Sequence, residues 1–321
     1  MAILEVKNLN LGFQCEDIFR QALYDVNFVL HKGKMLSLVG ESGCGKTMSA
    51  MSILNLLPKT ARITSGEILY NGENLLLKNN KQMQKIRGGK IALIPQDPMT
   101  SLNPLYTVGD QLLEVIKIHQ NLQGHQAEQK AIEAFEAVQI PDAKSRLKNY
   151  PHEFSGGMKQ RAIIAMALAC KAEILIADEP TTALDVTIQA QIMKLLNEIK
   201  INNETSILLI THDLALVSEN ADEIAVMYSG RIVENAPNSE FFNNPQHPYS
   251  KALLKSLPSN RGNKLETIQG QPPSLSQNID GCKFHPRCNY CMEICTKEIP
   301  ELKNITPVHK SACFLNSNTN A

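Results

Sequence analysis

The residues Gly40-Glu41-Ser42-Gly43-Cys44-Gly45-Lys46-Thr47 fit the pattern G-x-x-x-x-G-K-[ST] without a mismatch, directly after the apolar run Met35-Leu36-Ser37-Leu38-Val39. That spacing suits the cradling of a polyphosphate. Glycines let the backbone come close and turn several N–H groups inward, Lys46 brings positive charge to the β- and γ-phosphates, and the Thr47 hydroxyl can ligate Mg²⁺. The elements that must position these groups are a strand before the loop and a helix after it. The pattern predicts that helix from about Lys46 to Leu57, stopped by Pro58, with its positive end aimed at the same anion. A glycine-rich turn that matches by chance is the plain alternative, and the flanking strand and helix weigh against it.

A second set of chemistry-bearing residues follows Ile174-Leu175-Ile176-Ala177, a run that predicts a buried strand. Its carboxyl end delivers Asp178 and Glu179, where parallel sheets put ligand-binding groups. Asp178 suits the shell of a Mg²⁺ ion, commonly through water, and Glu179 suits polarisation of the water that attacks a γ-phosphate. Read alone, the two carboxylates are as well explained by a solvated strand end. Beside a phosphate loop they imply ATP and Mg²⁺ as cofactors.

Phe154-Ser155-Gly156-Gly157-Met158-Lys159-Gln160-Arg161 resembles the signature motif of ABC ATPases, which separates them from other phosphate-loop proteins. The resemblance implies that Ser155, Gly156 and Gly157 face the γ-phosphate of ATP held by the other subunit of a head-to-tail dimer, in keeping with anion binding at helix N-termini. Met158 stands where many members have Gln, so no side-chain contact is carried over there. A Ser N-cap on an ordinary amphipathic helix also accounts for Ser155, though not for the adjacent glycines. Within the same family, Gln96 in Ile94-Pro95-Gln96-Asp97 matches the Q-loop glutamine that senses Mg²⁺ and the γ-phosphate. Asp185 in Ala183-Leu184-Asp185 matches the D-loop, and His212, after Ser206-Ile207-Leu208-Leu209-Ile210-Thr211, matches the switch histidine. The family's adenine-stacking ring falls among Phe13, Phe19 and Tyr24, of which Phe13 is preferred, with core packing an equal alternative for each.

Composition bounds the rest. With 321 residues and 43% hydrophobic content, the chain can bury one large α/β core and a smaller appended part. No run of about twenty apolar residues is present, and Met1-Ala2-Ile3-Leu4-Glu5-Val6 lacks the charged-then-apolar pattern of a leader, so neither export nor membrane insertion is expected. Lys plus Arg balance Asp plus Glu at 32 each, which offers no bulk field toward nucleic acid. Each motif occurs once, without a repeat period, which disfavours the twin-cassette ABC proteins of repair and translation.

The expected fold is α/β: a phosphate-loop ABC ATPase core with an N-terminal antiparallel β segment, a helical subdomain and a small C-terminal cysteine-rich module. Residues 1–96 and 160–245 supply the core, 97–159 the helical subdomain with the signature motif, and 246–321 the extension. Within the middle segment, Ala127, Ala131, Phe135 and Val138 share one face of a helix predicted from Gln126 to Gln139. Asp97-Pro98-Met99-Thr100-Ser101-Leu102-Asn103-Pro104 reads as a loop. It resembles the loop of oligopeptide- and dipeptide-importer ATPases that receives a coupling helix from the permease. Leu184-Asp185-Val186-Thr187-Ile188-Gln189-Ala190-Gln191 and His247-Pro248-Tyr249-Ser250-Lys251-Ala252-Leu253-Leu254 resemble the same branch, which also holds nickel, opine and antimicrobial-peptide importers. Gln271-Pro272-Pro273-Ser274 reads as an extended connector.

Five of the eight cysteines follow it: Cys282, Cys288, Cys291, Cys295 and Cys313. In a cytosolic chain such clustering favours metal over disulfide, and spacing alone does not choose between zinc and an iron–sulfur cluster. The resemblance implies a [4Fe-4S] cluster on Cys282, Cys288, Cys295 and Cys313, with zinc as the alternative and Cys291 outside the family set. Arg287 would neutralise that cluster or lie on a solvated surface. Cys15, Cys44 and Cys170 are expected as small buried side chains.

The function implied is that of an ATP-hydrolysing subunit energising import of di- or oligopeptides, peripheral on the cytoplasmic face of the membrane. Its partners would be a second ABC ATPase, a paralogue rather than a copy, with two transmembrane permease subunits and, indirectly, an external binding protein, but no nucleic acid. The alternatives are an importer of nickel, a metal chelate or an opine, and a soluble ABC ATPase acting on protein or nucleic-acid complexes.

Overall fold

Where apolar residues run unbroken a strand is buried on both faces, and Met35–Val39, Ile174–Asp178 and Ser206–Thr211 are each buried at every position. A computed structural model of the chain describes residues 1–16, 18–182, 184–257, 268–277 and 279–318. It comprises two compact units, one of residues 1–31, 35–77 and 210–321 and the other of 32–34 and 78–209.

The strands Ser206–Thr211, of which residues 206–209 belong to the second unit, Ile174–Asp178 and Ile91–Ile94 are neighbours in that order. The last two run parallel with Ile94 opposite Ala177. Helices Val108–Gln120, Gly124–Ala137, Gly156–Ala169 and Val186–Asn203 make up most of the remainder. Ala127, Ala131, Phe135 and Val138 are all fully buried, so the expected face is the packed one, and Phe135 meets Phe154 edge-on at 6.4 Å. The helix ends at Ala137, and Gln139 takes a left-handed φ of 61° just beyond it. Pro98–Ser101, expected as loop, is a short helical turn. Its cause is local: Asp97 accepts the Met99 N–H at 2.8 Å and Pro98 occupies the first helical position, where its missing N–H costs nothing.

The first unit holds an antiparallel sheet ordered Ile18–His31, Ala2–Cys15, Ala61–Tyr70, Glu73–Asn74. Its other strands lie in the order Lys303–Thr306, His309–Ser311, Arg231–Pro237, Glu223–Tyr228, Met35–Val39. Met35–Val39 runs parallel to Glu223–Tyr228, with Val39 opposite Val226. The helix after the phosphate loop spans only Lys46–Ile53. It stops short of the expected Leu57 because Asn55 turns left-handed, with φ 51°, before Pro58 is reached. Among the described residues no helix is long and apolar enough to cross a membrane.

Around the strand Arg231–Pro237 a polar network is buried. Glu234 is fully buried and accepts the Gln246 and His247 N–H groups at 2.7 Å each, and His309 Nε2 lies 2.7 Å from its Oε1. Burial alone would raise the Glu234 carboxyl, but hydrogen bonds from His309, Gln246 and His247 outweigh it and hold the group low. His247 faces Glu234, Lys251 and the Phe284 ring. Burial pushes its imidazole down to about 4, with Glu234 opposing and Lys251 adding to the fall. A neutral ring is what the geometry requires, since His247 Nδ1 accepts the Tyr249 N–H at 3.0 Å. Because the folded value is depressed, stability from this group is full above the unfolded value near 6.5 and is lost as pH falls from there through about 4. In urea titrations across this window, His247→Gln should lose less unfolding free energy on acidification than the parent chain, by up to roughly 3 kcal/mol.

Candidate active site

The phosphate loop is held from beneath by backbone. A Cβ at Gly40 would sit 2.2 Å from the Met227 carbonyl oxygen, and one at Gly45, where φ is 110°, would sit 2.5 Å from Leu23 Cδ2. Gly40 is therefore required by close approach to backbone, and Gly45 by its left-handed φ, since the Leu23 side chain could give way. Gly43 also has a left-handed φ of 79° but faces open space. The Cys44 carbonyl accepts the Gly230 N–H at 2.8 Å, and the Glu41 N–H donates to Tyr249 Oη at 2.9 Å. Lys46 is buried, its Nζ donating to the carbonyls of Gly40 at 2.7 Å and Glu41 at 3.0 Å. The ammonium is thereby held against the backbone of the loop itself. Ser42 is exposed and Thr47 half-buried. Cys44 is buried, and burial pushes its thiol up despite the nearby Lys46, as expected of an inert packing residue.

His212 is exposed and lines, with Gly40, Glu41 and Arg287, a cavity of ≈ 300 Å³. A neighbouring cavity of ≈ 310 Å³ is lined by Tyr24, Glu41, Ser42, Gly43 and Cys44. The ring of Tyr24 carries the Arg231 guanidinium at 5.1 Å and the Lys283 ammonium at 5.5 Å, and that of Phe19 carries Arg62 at 4.9 Å. Phe13 is half-buried in the strand Ala2–Cys15.

The remaining expected site residues belong to the second unit. Because Ile94 and Ala177 are paired on parallel strands, Gln96 and the Asp178-Glu179 pair emerge side by side at the strands' carboxyl ends. Asp178 is buried. Glu179 is nearly so, adopts a left-handed φ of 47°, and its Oε2 accepts the Thr182 hydroxyl at 3.0 Å. A left-handed glutamate is a strained arrangement of the kind found at functional sites. Ser155 caps the helix Gly156–Ala169 by accepting the Met158 N–H at 3.3 Å, so the ordinary capping role is present. Gly156 is different, since a Cβ there would meet nothing within 4 Å. No described contact within the chain demands glycine at that position. Gly157 is half-buried. Asp185 caps Val186–Asn203, accepting the Ile188 N–H at 3.0 Å. Ala183, its motif neighbour, lies outside the described residues. Sequence reasoning missed Gln160, which is buried and donates through Nε2 to the Pro180 carbonyl at 2.8 Å, tying the signature helix to the segment after Glu179.

Cys282, Cys288, Cys295 and Cys313 line one small cavity of ≈ 10 Å³, while Cys291 is exposed and outside that lining. Among the described residues, however, no group of three or more His, Cys, Asp or Glu side chains could hold a metal ion. The ligand set implied by resemblance is not formed here. Burial pushes the Cys282 thiol up to about 11, with Cys295, Cys313 and Cys288 adding to the rise. Two further expectations change. Cys15 is exposed at a strand end rather than buried, whereas Cys44 is buried and Cys170 half-buried. Arg287 neither faces solvent nor serves the cysteines: its side chain is 6% exposed and pairs with Glu41 of the phosphate loop.

Residues 23–182 match the ABC transporter family, and residues 233–295 match the oligopeptide/dipeptide transporter C-terminal region. The chain is 49% identical over 316 residues to a probable peptide ABC transporter ATP-binding protein, y4tR, of Sinorhizobium fredii, spanning 97% of this chain and 94% of that one. It is 46% identical over 315 residues to the oligopeptide transport ATP-binding protein OppD of Escherichia coli, spanning 98% and 93%. Among solved structures, the fold is similar to the dimeric ATP-binding cassette MJ0796 in a post-hydrolysis state with ADP and Pi, with a TM-score of 0.67 and 25% identity over 73% of this chain and 98% of that one.

The tight contact beneath the loop sets the test. Gly40→Ala should lower stability by roughly 2 kcal/mol or more and weaken nucleotide binding at least about tenfold, read by denaturant melts and equilibrium titration with ATP.

Proposed function

Because the chain belongs to the ABC transporter family of ATP-binding subunits, in its oligopeptide/dipeptide branch, we propose that it hydrolyses ATP to energise import of di- or oligopeptides through a membrane permease. The observation that carries this reading is the joint match of a nucleotide core and a peptide-transporter C-terminal region within one chain. In this reading residues 97–159 are the helical subdomain and 246–321 the branch's C-terminal extension.

Each site residue then has a task. The backbone N–H groups of residues 40–47 and the Lys46 ammonium hold the β- and γ-phosphates, and Thr47, Gln96 and Asp178 serve Mg²⁺, which neutralises charge developing in phosphoryl transfer. Glu179 takes a proton from the attacking water, His212 contacts the γ-phosphate, and Phe13 stacks on adenine. Ser155, Gly156, Gly157 and Asp185 complete the site of a second ATPase subunit, a paralogue by preference. The open space before Gly156 supports this, because a glycine that nothing in its own chain requires leaves room for an incoming phosphate. Met99, Leu105 and Tyr106 are 61%, 79% and 57% exposed just after Gln96. Exposed apolar side chains there suit docking of a permease helix, which supports a peripheral place on the cytoplasmic face of the membrane. Peptide would reach the permeases from an external binding protein, and this chain would never touch it.

For the cysteines the proposal is narrower. Cys282, Cys288, Cys295 and Cys313 offer four sulfur donors on one cavity with Phe284 and Phe314 in its wall, the donor type and number of a [4Fe-4S] cluster, with zinc as the alternative, although as placed here they form no metal-holding group. When bound, the group would staple the C-terminal segment, and no step of hydrolysis runs through it. Anaerobically purified protein should contain about four irons per chain with the visible absorption of a cluster; stoichiometric zinc, or no metal, overturns the assignment.

Turnover tests the main reading. Glu179→Gln should bind ATP normally while losing at least about 100-fold in hydrolysis rate, measured as phosphate release from the assembled complex; unimpaired hydrolysis removes Glu179 from the role of base. In a mixed dimer, replacing Ser155 should damage the partner's site and leave this chain's own nucleotide affinity intact, read by titrating ATP against the mixed assembly.

A further inference from the structure

Glu41 lies inside the phosphate loop, so its carboxylate puts a negative charge beside the place where a polyanion must bind. The structure meets that charge from 246 residues away in sequence. Arg287 forms a two-pronged pair with it, Nη1 to Oε2 at 2.6 Å and Nη2 to Oε1 at 3.0 Å. The other guanidinium hydrogens are also used: Nε donates to the Gln269 carbonyl at 2.9 Å, Nη2 to the Gly270 carbonyl at 3.2 Å and Nη1 to Tyr228 Oη at 3.3 Å. A guanidinium satisfied on all sides and 6% exposed does not wander. Its base is as firm, since the rings of Tyr228, Tyr249 and Phe284 meet at centroid distances of 4.6, 5.2 and 5.3 Å. Tyr249 in turn accepts the Glu41 N–H. Glu41 is therefore gripped by both its backbone and its carboxylate, each time by residues of the C-terminal part.

We propose that Arg287 is a positioning residue of the ATP site, neutralising and holding Glu41 so that Lys46 and the loop N–H groups present an uncompensated positive field to the phosphates. The proposal rests on the reading of residues 40–47 as an ATP site. Without Arg287 the Glu41 carboxylate stays close to the loop, within a Debye length of any bound phosphate, and repels most the nucleotide with most charge. The C-terminal segment thereby becomes part of the nucleotide site although no signature motif reaches it.

Equilibrium titration of the full chain with ATP and with ADP tests this. Arg287→Ala should weaken ATP binding about tenfold, the size of one charge-assisted pair, and ADP binding clearly less. Adding Glu41→Gln to Arg287→Ala should restore ATP affinity to within about threefold of the parent, because the offending charge is gone. Arg287→Lys keeps a cation and should retain most of the affinity even if the alanine variant folds poorly. Unchanged ATP binding in Arg287→Ala, equal losses for ATP and ADP, no recovery with Glu41→Gln, or a lysine variant as weak as the alanine one would each overturn the proposal. Failure of the parent chain to bind ATP, with Lys46→Ala no different from it, would instead overturn the reading of the site.

Discussion

The close approach of Gly40 to the Met227 carbonyl is the constraint on which the site depends. A methyl group on Gly40 would stand 2.2 Å from that oxygen, which leaves no room for a side chain, so the strand Met35–Val39 must end in glycine for the loop to begin where it does. The parallel pairing of that strand with Glu223–Tyr228 sets the height of the loop. The bonds from Gly230 to Cys44 and from Glu41 to Tyr249 then leave the loop little freedom. A phosphate site built from backbone N–H groups works only if the backbone is fixed before the ligand arrives, because reorganisation would subtract from binding.

Much of this is legible in the residues themselves. The phosphate loop follows from glycine and lysine spacing because only a few residue types tolerate that backbone and that ligand. The helical face of Ala127, Ala131, Phe135 and Val138 follows from periodicity because burial there is local to one helix. What escapes a sequence reading is decided by single capping residues or by distant partners. Asn55 ends a helix three residues before the proline that looks like its stop, and Asp97 turns an apparent loop into a helical turn. Arg287 sits in sequence among the cysteines, yet its partner lies in the phosphate loop. No local pattern encodes a pair that far apart. The cysteine ligand set shows the reverse: spacing and resemblance suggest a metal centre, while the thiols line a cavity without closing into one.

The buried network of Glu234, His247 and His309 gives the C-terminal part a polar core of its own. Its hydrogen bonds join the strand Arg231–Pro237 to His309–Ser311 and to the start of the helix Pro248–Lys255. The buried Glu234 carboxylate fixes the relative placement of these segments, since removing one of its donors would leave charge uncompensated. They also explain how so small a segment can hold Tyr249 and Arg287 firmly enough to matter at the phosphate loop.

The claim that this ATPase works within a peptide importer is tested most directly by its company. The chain, purified from gently solubilised native membranes and analysed by mass spectrometry, should bring with it two peptide-type permease subunits and a second ATPase. Recovery of only soluble or ribosomal proteins, under conditions that keep known importers intact, would contradict the account.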